Sequence, residues 1–307
     1  MPDRPSILVF AYHTVGYECL DALITRGENV IGVLTHEDDP KETIWFKSVA
    51  ALARSHGIPV YTPESVNTSF WTTRIRTIAP DIIFSFYYRN LISEEILAVP
   101  RLGAFNMHGS LLPKYRGRAP INWAVLRGEK ESGVTLHHMV KHADAGDIVD
   151  REAAPIGPED TAFDVFNKVT VAARKVLERR LDDIKAGTAP RMQQDQSQAT
   201  TFGGRKPGDG RIDWTASAER IHDLIRAVTH PYPGAFTEAN GRRLFIWQAK
   251  PLGRGVGRPG TVLSIDPLRV ATGSGSLEIT RYQWEGDHEE AAADVTHNLR
   301  AGSVLGR

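Results

Sequence analysis

SILVFAYHTVGYECLDALITRGENVIGVLTH, residues 6–36, carries the pattern from which the architecture of the chain follows. SILVFAY at 6–12 is an apolar run without polar alternation, the pattern of a strand covered on both faces. Helical spacing takes over from Gly16 to about Thr25, and VIGVLTH at 30–36 supplies a second strand. A strand, a helix and a strand in that order predict a βαβ unit with parallel strands and a right-handed crossover.

The pattern continues outward from this unit. KSVAALARSHG at 47–57 has helical spacing and a glycine stop, IPVYTP supplies a short strand, and WTTRIRTIAP leads into DIIFSFYY. LISEEILAVP reads as a short helix and GAFNMHG as the next strand. The expected class is therefore α/β, with a mostly parallel, Rossmann-like sheet covered by helices and with ligand-binding loops at the carboxyl ends of its strands. SGVTLHHMV at 132–140 and DIVDREAAPI at 147–156 form a further strand pair joined through KHADAG, and TAFDVFNKVTVAARKVLERRLDDIKAG predicts a long helix stopping near Gly187.

Apolar periodicity then lapses in MQQDQSQATTFGGRKPGDGR, and a domain boundary is expected there, near residue 200. The division is a catalytic domain at 1–200 and a second domain at 201–307. AERIHDLIRAV reads as a helix; the short runs from PYPGAF to SLEITRYQW, punctuated by glycine and proline, predict a smaller β-rich barrel or sandwich. AAADVTHNLRAGSVLGR is expected to be a last short helix and tail.

The 307 residues carry 37 basic and 37 acidic side chains, so the chain as a whole has no bias toward a polyanion, and any anion site must be local. The first apolar run meets His13 and Gly16 before it is long enough for a signal peptide or a membrane span, which predicts a cytoplasmic chain without membrane insertion. Met1 makes a separate natural chain the expectation over an excised piece. Cys19 is the single cysteine, which excludes an intrachain disulfide; its place in a helical pattern suits a buried small residue.

Chemistry concentrates in AFNMHGSLLPKYRGR, residues 104–118. Asn106 and His108 stand two apart on a predicted strand, so their side chains emerge on one face. A neutral histidine can remove a proton from an attacking amine, and an asparagine amide can donate to oxygen charge developing in acyl transfer. Two buried, hydrogen-bonded polar residues would give the same pattern. Asp144, in the turn KHADAGD, either caps its own backbone or orients the imidazole and raises its pKa. His137, His138 and His142 do not match a common metal-ligand spacing, and neither GxGxxG nor a Walker lysine loop occurs. Lys114, Arg116 and Arg118 form a local cationic loop. In FSFYYRNLI at 84–92, the backbone of Asn90, Leu91 and Ile92 can hydrogen-bond a flat heterocycle, although core packing alone explains most of the run.

With GSLLPKYRGRAPINWA after the histidine and DAGDIV around the aspartate, these residues resemble the folate-dependent formyltransferases over essentially the whole chain. FAYHTVG, FSFYYRNLI, FGGRKPGDGRIDW and PYPGAF extend the resemblance to the members serving the lipid A aminoarabinose pathway. The resemblance implies a Rossmann-like formyltransferase domain followed by a smaller domain of open-barrel (OB-like) type. It implies formyl transfer from 10-formyltetrahydrofolate, as cosubstrate and without a metal, to the 4-amino group of UDP-4-amino-4-deoxy-L-arabinose. It further implies His108 as the proton-transferring group, Asn106 as the oxyanion stabiliser and Asp144 as the residue that raises the histidine pKa. Asn90, Leu91, Ile92, Arg118, Val140, Lys141, His142, Ala143 and Asp144 match its folate-site segments. In the bifunctional family members a dehydrogenase-decarboxylase domain follows, and its dinucleotide loop is not among these 307 residues.

Arg205 and Lys206 are expected to contribute to a phosphate-sensitive sugar pocket near PYPGAF; an exposed linker patch is the alternative. A methionyl-tRNA formyltransferase shares the chemistry but would be served by a continuous basic surface. GRKPGDGR is only locally basic and the acidic DHEE follows later, so no nucleic-acid partner is expected. Another nucleotide-sugar N-formyltransferase is the second enzymatic alternative. A non-catalytic binding protein on this fold would need no proton-transfer group and predicts His108 apart from Asn106 and Asp144.

Overall fold

A computed structural model describes residues 4–40, 43–253, 255, 257–291 and 299–306. The chain forms two compact units that interleave along the sequence. Residues 1–120, 131–155 and 166–202 form the first; 121–130, 156–165 and 203–307 form the second.

The elements run β1 (Ser6–Ala11), α1 (His13–Thr25), β2 (Asn29–Leu34), α2 (Val49–Ser55), β3 (Val60–Tyr61), α3 (Ser69–Ile78), β4 (Ile82–Phe86), α4 (Glu94–Leu97), β5 (Gly103–His108) and β6 (Arg116–Gly117). They continue with α5 (Pro120–Leu126), β7 (Glu131–His138), β8 (Ile148–Pro155), α6 (Ala162–Lys185) and β9 (Thr201–Phe202). The main sheet has the order β3-β2-β1-β4-β5-β7-β8. β1 to β5 pair in parallel, as their continuous apolar runs require, and Ile7 to Ala11 and Ile82 to Phe86 are buried along their whole lengths. The chain leaves β1 toward β2 and β3, then returns to place β4 on the other side of β1, a topological switch that opens a crevice at the strands' carboxyl ends.

The sheet is mostly parallel, as the sequence predicts, and turns antiparallel at one edge. β7 pairs antiparallel with β5, and β8 antiparallel with β7. Helix α1 also begins three residues earlier than expected. Tyr12, extended at φ −152°, is its N-cap, and Gly16 lies inside the first turns. There a Cβ would stand 3.1 Å from both the Ala11 Cβ and the Phe86 carbonyl, so glycine serves close helix–sheet packing instead of starting the helix. α2 and α3 are capped by Ser48 and Thr68, whose hydroxyls accept from the N–H of Ala51 and Trp71.

In the second unit α7 (Ala218–Val228) precedes β10 (Ala235–Ala239), β11 (Arg242–Leu252), β12 (Val262–Ile265), β13 (Leu268–Ala271), β14 (Ser276–Trp284) and β15 (Glu290–Ala291). These strands form an antiparallel sheet of order β10-β11-β14-β13-β12, with β15 on β14. α7 buries Ile221, Ile225 and Val228 at helical spacing. Most of the helix expected within 291–307 falls at 292–298, outside the described residues. Among the described residues no helix is long and apolar enough to cross a membrane.

Candidate active site

The carboxyl end of β5 carries the centre of the site. Asn106 is partly exposed, while His108 on the same strand face is 7% exposed. Antiparallel register sets His137 of β7 opposite Asn106 and Thr135 opposite His108. The segment after β7 reverses direction at Asp144, whose φ of +56° lies in the left-handed region that aspartate tolerates. At Gly146 a Cβ would fall 1.9 Å from the His138 carbonyl, so only glycine lets this turn close against its own strand.

This turn brings the Asp144 carboxylate within 3.4 Å of His108 Nδ1 and 3.7 Å of His137 Nε2. Its other oxygen accepts from the Gly117 N–H at 2.9 Å, so the side chain is engaged across two loops instead of capping its own turn. His108 Nε2 stands 2.8 Å from the Tyr115 carbonyl. A carbonyl only accepts, so Nε2 carries the proton and the neutral ring presents its lone pair at Nδ1, toward Asp144. The tautomer is thus set by a backbone carbonyl.

Burial is the largest influence on His108 and pushes its pKa below the ordinary value; Asp144 and the Tyr115 carbonyl pull it upward, and His137 and Arg116 add to the lowering. Asp144 therefore acts in the direction the sequence predicts, but desolvation outweighs it. Burial likewise opposes the charge of Asp144, yet positive charge on His108 or His137 when either ring is protonated, together with the Gly117 N–H, holds its carboxyl well below the usual range. The result is a neutral imidazole beside an ionised carboxylate near neutral pH.

His137 is a member of the site that sequence reading missed. Its Nδ1–H donates to the His138 carbonyl at 2.9 Å, which leaves Nε2 to accept from Asn106 Nδ2 at 3.1 Å. One amide hydrogen is committed to His137, and the second can serve a developing oxyanion. The alternation that puts adjacent histidines on opposite faces does hold. His138 packs on Phe105 at 4.8 Å between ring centroids and bonds the Pro190 carbonyl. Finding His137 required the pairing of β7 with β5, for which the sequence has no signal.

The two expected heterocycle-binding segments are neighbours. Ile92 belongs to a core cluster with Phe10, Ile83, Ile96 and Ala104, against which Tyr88 and Met139 pack. Lys141 Nζ lies 3.2 Å from Glu94 Oε2, linking the segment after Ile92 to the segment before Asp144. Asn90 donates to the Glu64 carbonyl, and Asn67 donates to the carbonyl of Leu91, so this loop is pinned while Leu91 stays 71% exposed. Val140 is 45% exposed, and His142 and Ala143 lie at the surface. Arg118 is exposed at the end of the loop that carries Gly117, and its N–H donates to the Phe202 carbonyl. Arg205 and Lys206 belong to the second unit. There the Arg205 guanidinium lies 4.8 Å from the Trp123 ring centre and donates to the Asp209 carbonyl, while the Lys206 N–H donates to the Asp209 carboxylate.

A neutral base, an amide donor and an ionised carboxylate at a strand end of an open α/β sheet make up the equipment for acyl transfer to an amine. The chain belongs to the formyl transferase family: the family's amino-terminal domain matches residues 5–181, and its carboxyl-terminal domain matches 205–300. It is a formyl-transferring enzyme by that architecture.

Solved structures give the same fold at low identity. WlaRD, a sugar 3N-formyl transferase determined with dTDP and 5-N-formyl-THF, is 21% identical, with a TM-score of 0.71 over 93% of this chain and 100% of that one. The N-formyltransferase from Helicobacter canadensis, in complex with folinic acid and dTDP-3-aminofucose, is 20% identical, with a TM-score of 0.66 over 90% and 99%. HypX from Aquifex aeolicus, in complex with tetrahydrofolic acid, is 18% identical with a TM-score of 0.65; the match covers 95% of this chain and 46% of HypX, so the chain spans about half the length of that relative.

Proposed function

We propose that the chain transfers a formyl group from a 10-formyltetrahydrofolate donor to the amino group of a sugar carried on a nucleotide. The observation that carries this reading is the convergence of Asn106, His108 and Asp144, with the Asp144 carboxylate 3.4 Å from the unprotonated nitrogen of His108. Arrangement around a proton-transfer group argues against a purely binding protein. For the donor, the exposed apolar side chains of Leu91 and Val140 offer cover to a flat heterocycle, and Arg118 offers a cation to a carboxylate. Donor assignment to Asn90–Ile92, Arg118 and Val140–Asp144 is part of the proposal.

The residues have defined tasks in such a reaction. His108 accepts at Nδ1 the proton shed by the attacking amine, and Asp144 stabilises the imidazolium so formed. Asn106 donates its second amide hydrogen to the formyl oxygen as that oxygen gains charge. His108 then returns the proton to the leaving nitrogen of the donor, which completes the exchange without net change in the protein.

The amino-sugar class is supported by the named substrates of the relatives, a sugar 3N-formyl transferase with dTDP and an enzyme with dTDP-3-aminofucose. Within that class the motif resemblance favours the ArnA-type substrate UDP-4-amino-4-deoxy-L-arabinose, giving UDP-4-deoxy-4-formamido-L-arabinose for lipid A modification in the cytoplasm. Lys206, and more weakly the already engaged Arg205, are proposed to meet the nucleotide phosphates. A parallel product assay by mass spectrometry tests all three levels, using UDP-4-amino-4-deoxy-L-arabinose, dTDP-linked 3- and 4-amino sugars and initiator methionyl-tRNA with one 10-formyltetrahydrofolate supply. A single added formyl on the UDP compound is expected. Preference for a dTDP sugar removes the finer substrate, and preference for the tRNA removes the class.

A further inference from the structure

The glutamine-rich passage MQQDQSQATTF, which reads as a boundary segment, includes a side chain as buried as His108. Gln194 is 7% exposed. Its Nε2 donates to the carbonyl of Asp144 at 2.8 Å and to that of Gly146 at 2.7 Å. Its Oε1 accepts from Arg116 Nη2 at 2.6 Å and Arg116 Nε at 3.2 Å. Both donors and both lone pairs of one primary amide are therefore used. Glutamate would turn an oxygen on two carbonyls, and lysine would offer no acceptor to Arg116.

The residues that follow fasten the same two loops. Thr200 accepts the N–H of Arg116 on its carbonyl and the N–H of Tyr115 on its hydroxyl. β9 then pairs with β6, Arg116 opposite Thr201 and Gly117 opposite Phe202. These are the loops that supply the Tyr115 carbonyl to His108 and the Gly117 N–H to Asp144.

We infer that Gln194 is a positioning residue for Asp144, its amide locking the carboxylate turn to the Tyr115–Gly117 loop so that the carboxylate faces His108; the inference rests on the roles proposed for His108 and Asp144. Asp144 occupies a left-handed conformation that a non-glycine residue keeps only when its surroundings hold it there. Gln194 grips the carbonyls on both sides of Ala145 and thereby holds it. Releasing the turn frees the carboxylate to drift, and a displacement of about 1 Å costs on the order of 10²-fold in rate.

Three charged or titratable groups bear on His108: Asp144, His137 and Arg116. Asp144 is the one that raises its pKa, so a displaced Asp144 leaves His108 titrating at lower pH. The test follows histidine ring signals by NMR through a pH titration of isotope-labelled full chain in two variants. Gln194→Met keeps the volume and adds no charge; Gln194→Asn keeps the amide but draws it back by one methylene, away from the two carbonyls. Both are expected to lower the His108 titration point and to reduce kcat by roughly 10²-fold. Neither effect should recur when the change is made in an Asp144→Asn background. Native signals of His13 and His36 report that the first unit is folded, and if Gln194→Met unfolds, Gln194→Asn carries the same readouts. An unmoved His108 titration in a folded variant, or an equal shift in the Asp144→Asn background, overturns the inference. The titration uses no substrate, so its outcome stands whichever amino sugar the enzyme accepts.

Discussion

Replacing Asp144 by asparagine removes one charge and keeps the side-chain shape, including an oxygen able to accept the Gly117 N–H. With 3.4 Å between the carboxylate and His108 Nδ1, Coulomb's law at an effective dielectric of about 20 sets a ceiling of about 5 kcal/mol on the stabilisation of the imidazolium. Opposite-charge neighbours at such distances raise a histidine pKa by about 1–3, which is roughly 1.4–4 kcal/mol. The sign follows from the geometry. Burial already places the His108 pKa below 6.5, with Asp144 opposing that shift. Its removal lowers the pKa further, and an asparagine N–H turned toward Nδ1 would occupy the very lone pair that takes the proton. kcat is therefore expected to fall about 10- to 10³-fold at neutral pH, while the acid limb of kcat/KM moves to lower pH by about 1–3 units. The assay is steady-state formylation of whichever amino-sugar nucleotide the substrate panel selects, from pH 4.5 to 9, with product measured by mass spectrometry. An acid limb that stays in place or moves upward, or a kcat within twofold of the parent enzyme, would refute Asp144 as the counterion of the base.

Asn106→Ala removes the donor to the developing oxyanion and is expected to lower kcat by about 10²–10³-fold with both KM values within a few-fold, measured by steady-state kinetics. A loss confined to KM would make Asn106 a binding residue instead. A second expectation concerns stability. Burial, with Arg89 adding to it, depresses the His13 pKa to about 3. As pH falls below 6.5 the unfolded chain takes the proton first, so stability present at higher pH is lost, by about 2 kcal/mol between pH 7.5 and 5. His13→Asn, which also tolerates the φ of +67° at this position, should flatten the pH dependence of urea unfolding by that amount; an unchanged slope refutes the assignment.

The parallel half of the main sheet was legible because its physics is local. Runs such as SILVFA and IIFSF have no polar face to give to solvent, and Gly57 at φ +69° and Gly187 at φ +72° stand where the helical patterns stop. The antiparallel addition of β7 to β5 was not, since SGVTLHHMV and KHADAG contain nothing that names β5 as their partner. That pairing puts His137 against Asn106 and delivers Asp144 to His108, so the chemistry of Asn106 and His108 was readable while its support was not. Gln194 was hidden for a related reason. A polar passage without periodicity looks like a linker, and only tertiary structure reveals that one of its amides satisfies the carbonyls of Asp144 and Gly146 and the Arg116 guanidinium.

The arrangement at His108 departs from the order in which a carboxylate grips the protonated ring nitrogen and leaves the other one basic. Here the Tyr115 carbonyl takes the protonated nitrogen, and Asp144 faces the basic one. A lone pair beside a carboxylate gains nothing in the resting enzyme. Once Nδ1 accepts a proton, the same 3.4 Å contact becomes an ion pair in a site where His108 is 7% exposed to water. Burial keeps the resting base neutral, and Asp144 acts on the charge only as it forms. The two opposing influences on one pKa thus divide between ground state and transition state, which is the condition for an interaction to accelerate the chemical step instead of tightening binding alone. Tyr115, at φ +60°, and Asp144, at φ +56°, are both held in left-handed backbone on either side of the ring, and the strap from Gln194 to Phe202 ties both loops together. Rigid support on the two sides of His108 is what lets a contact that is idle before reaction be in place when the proton arrives.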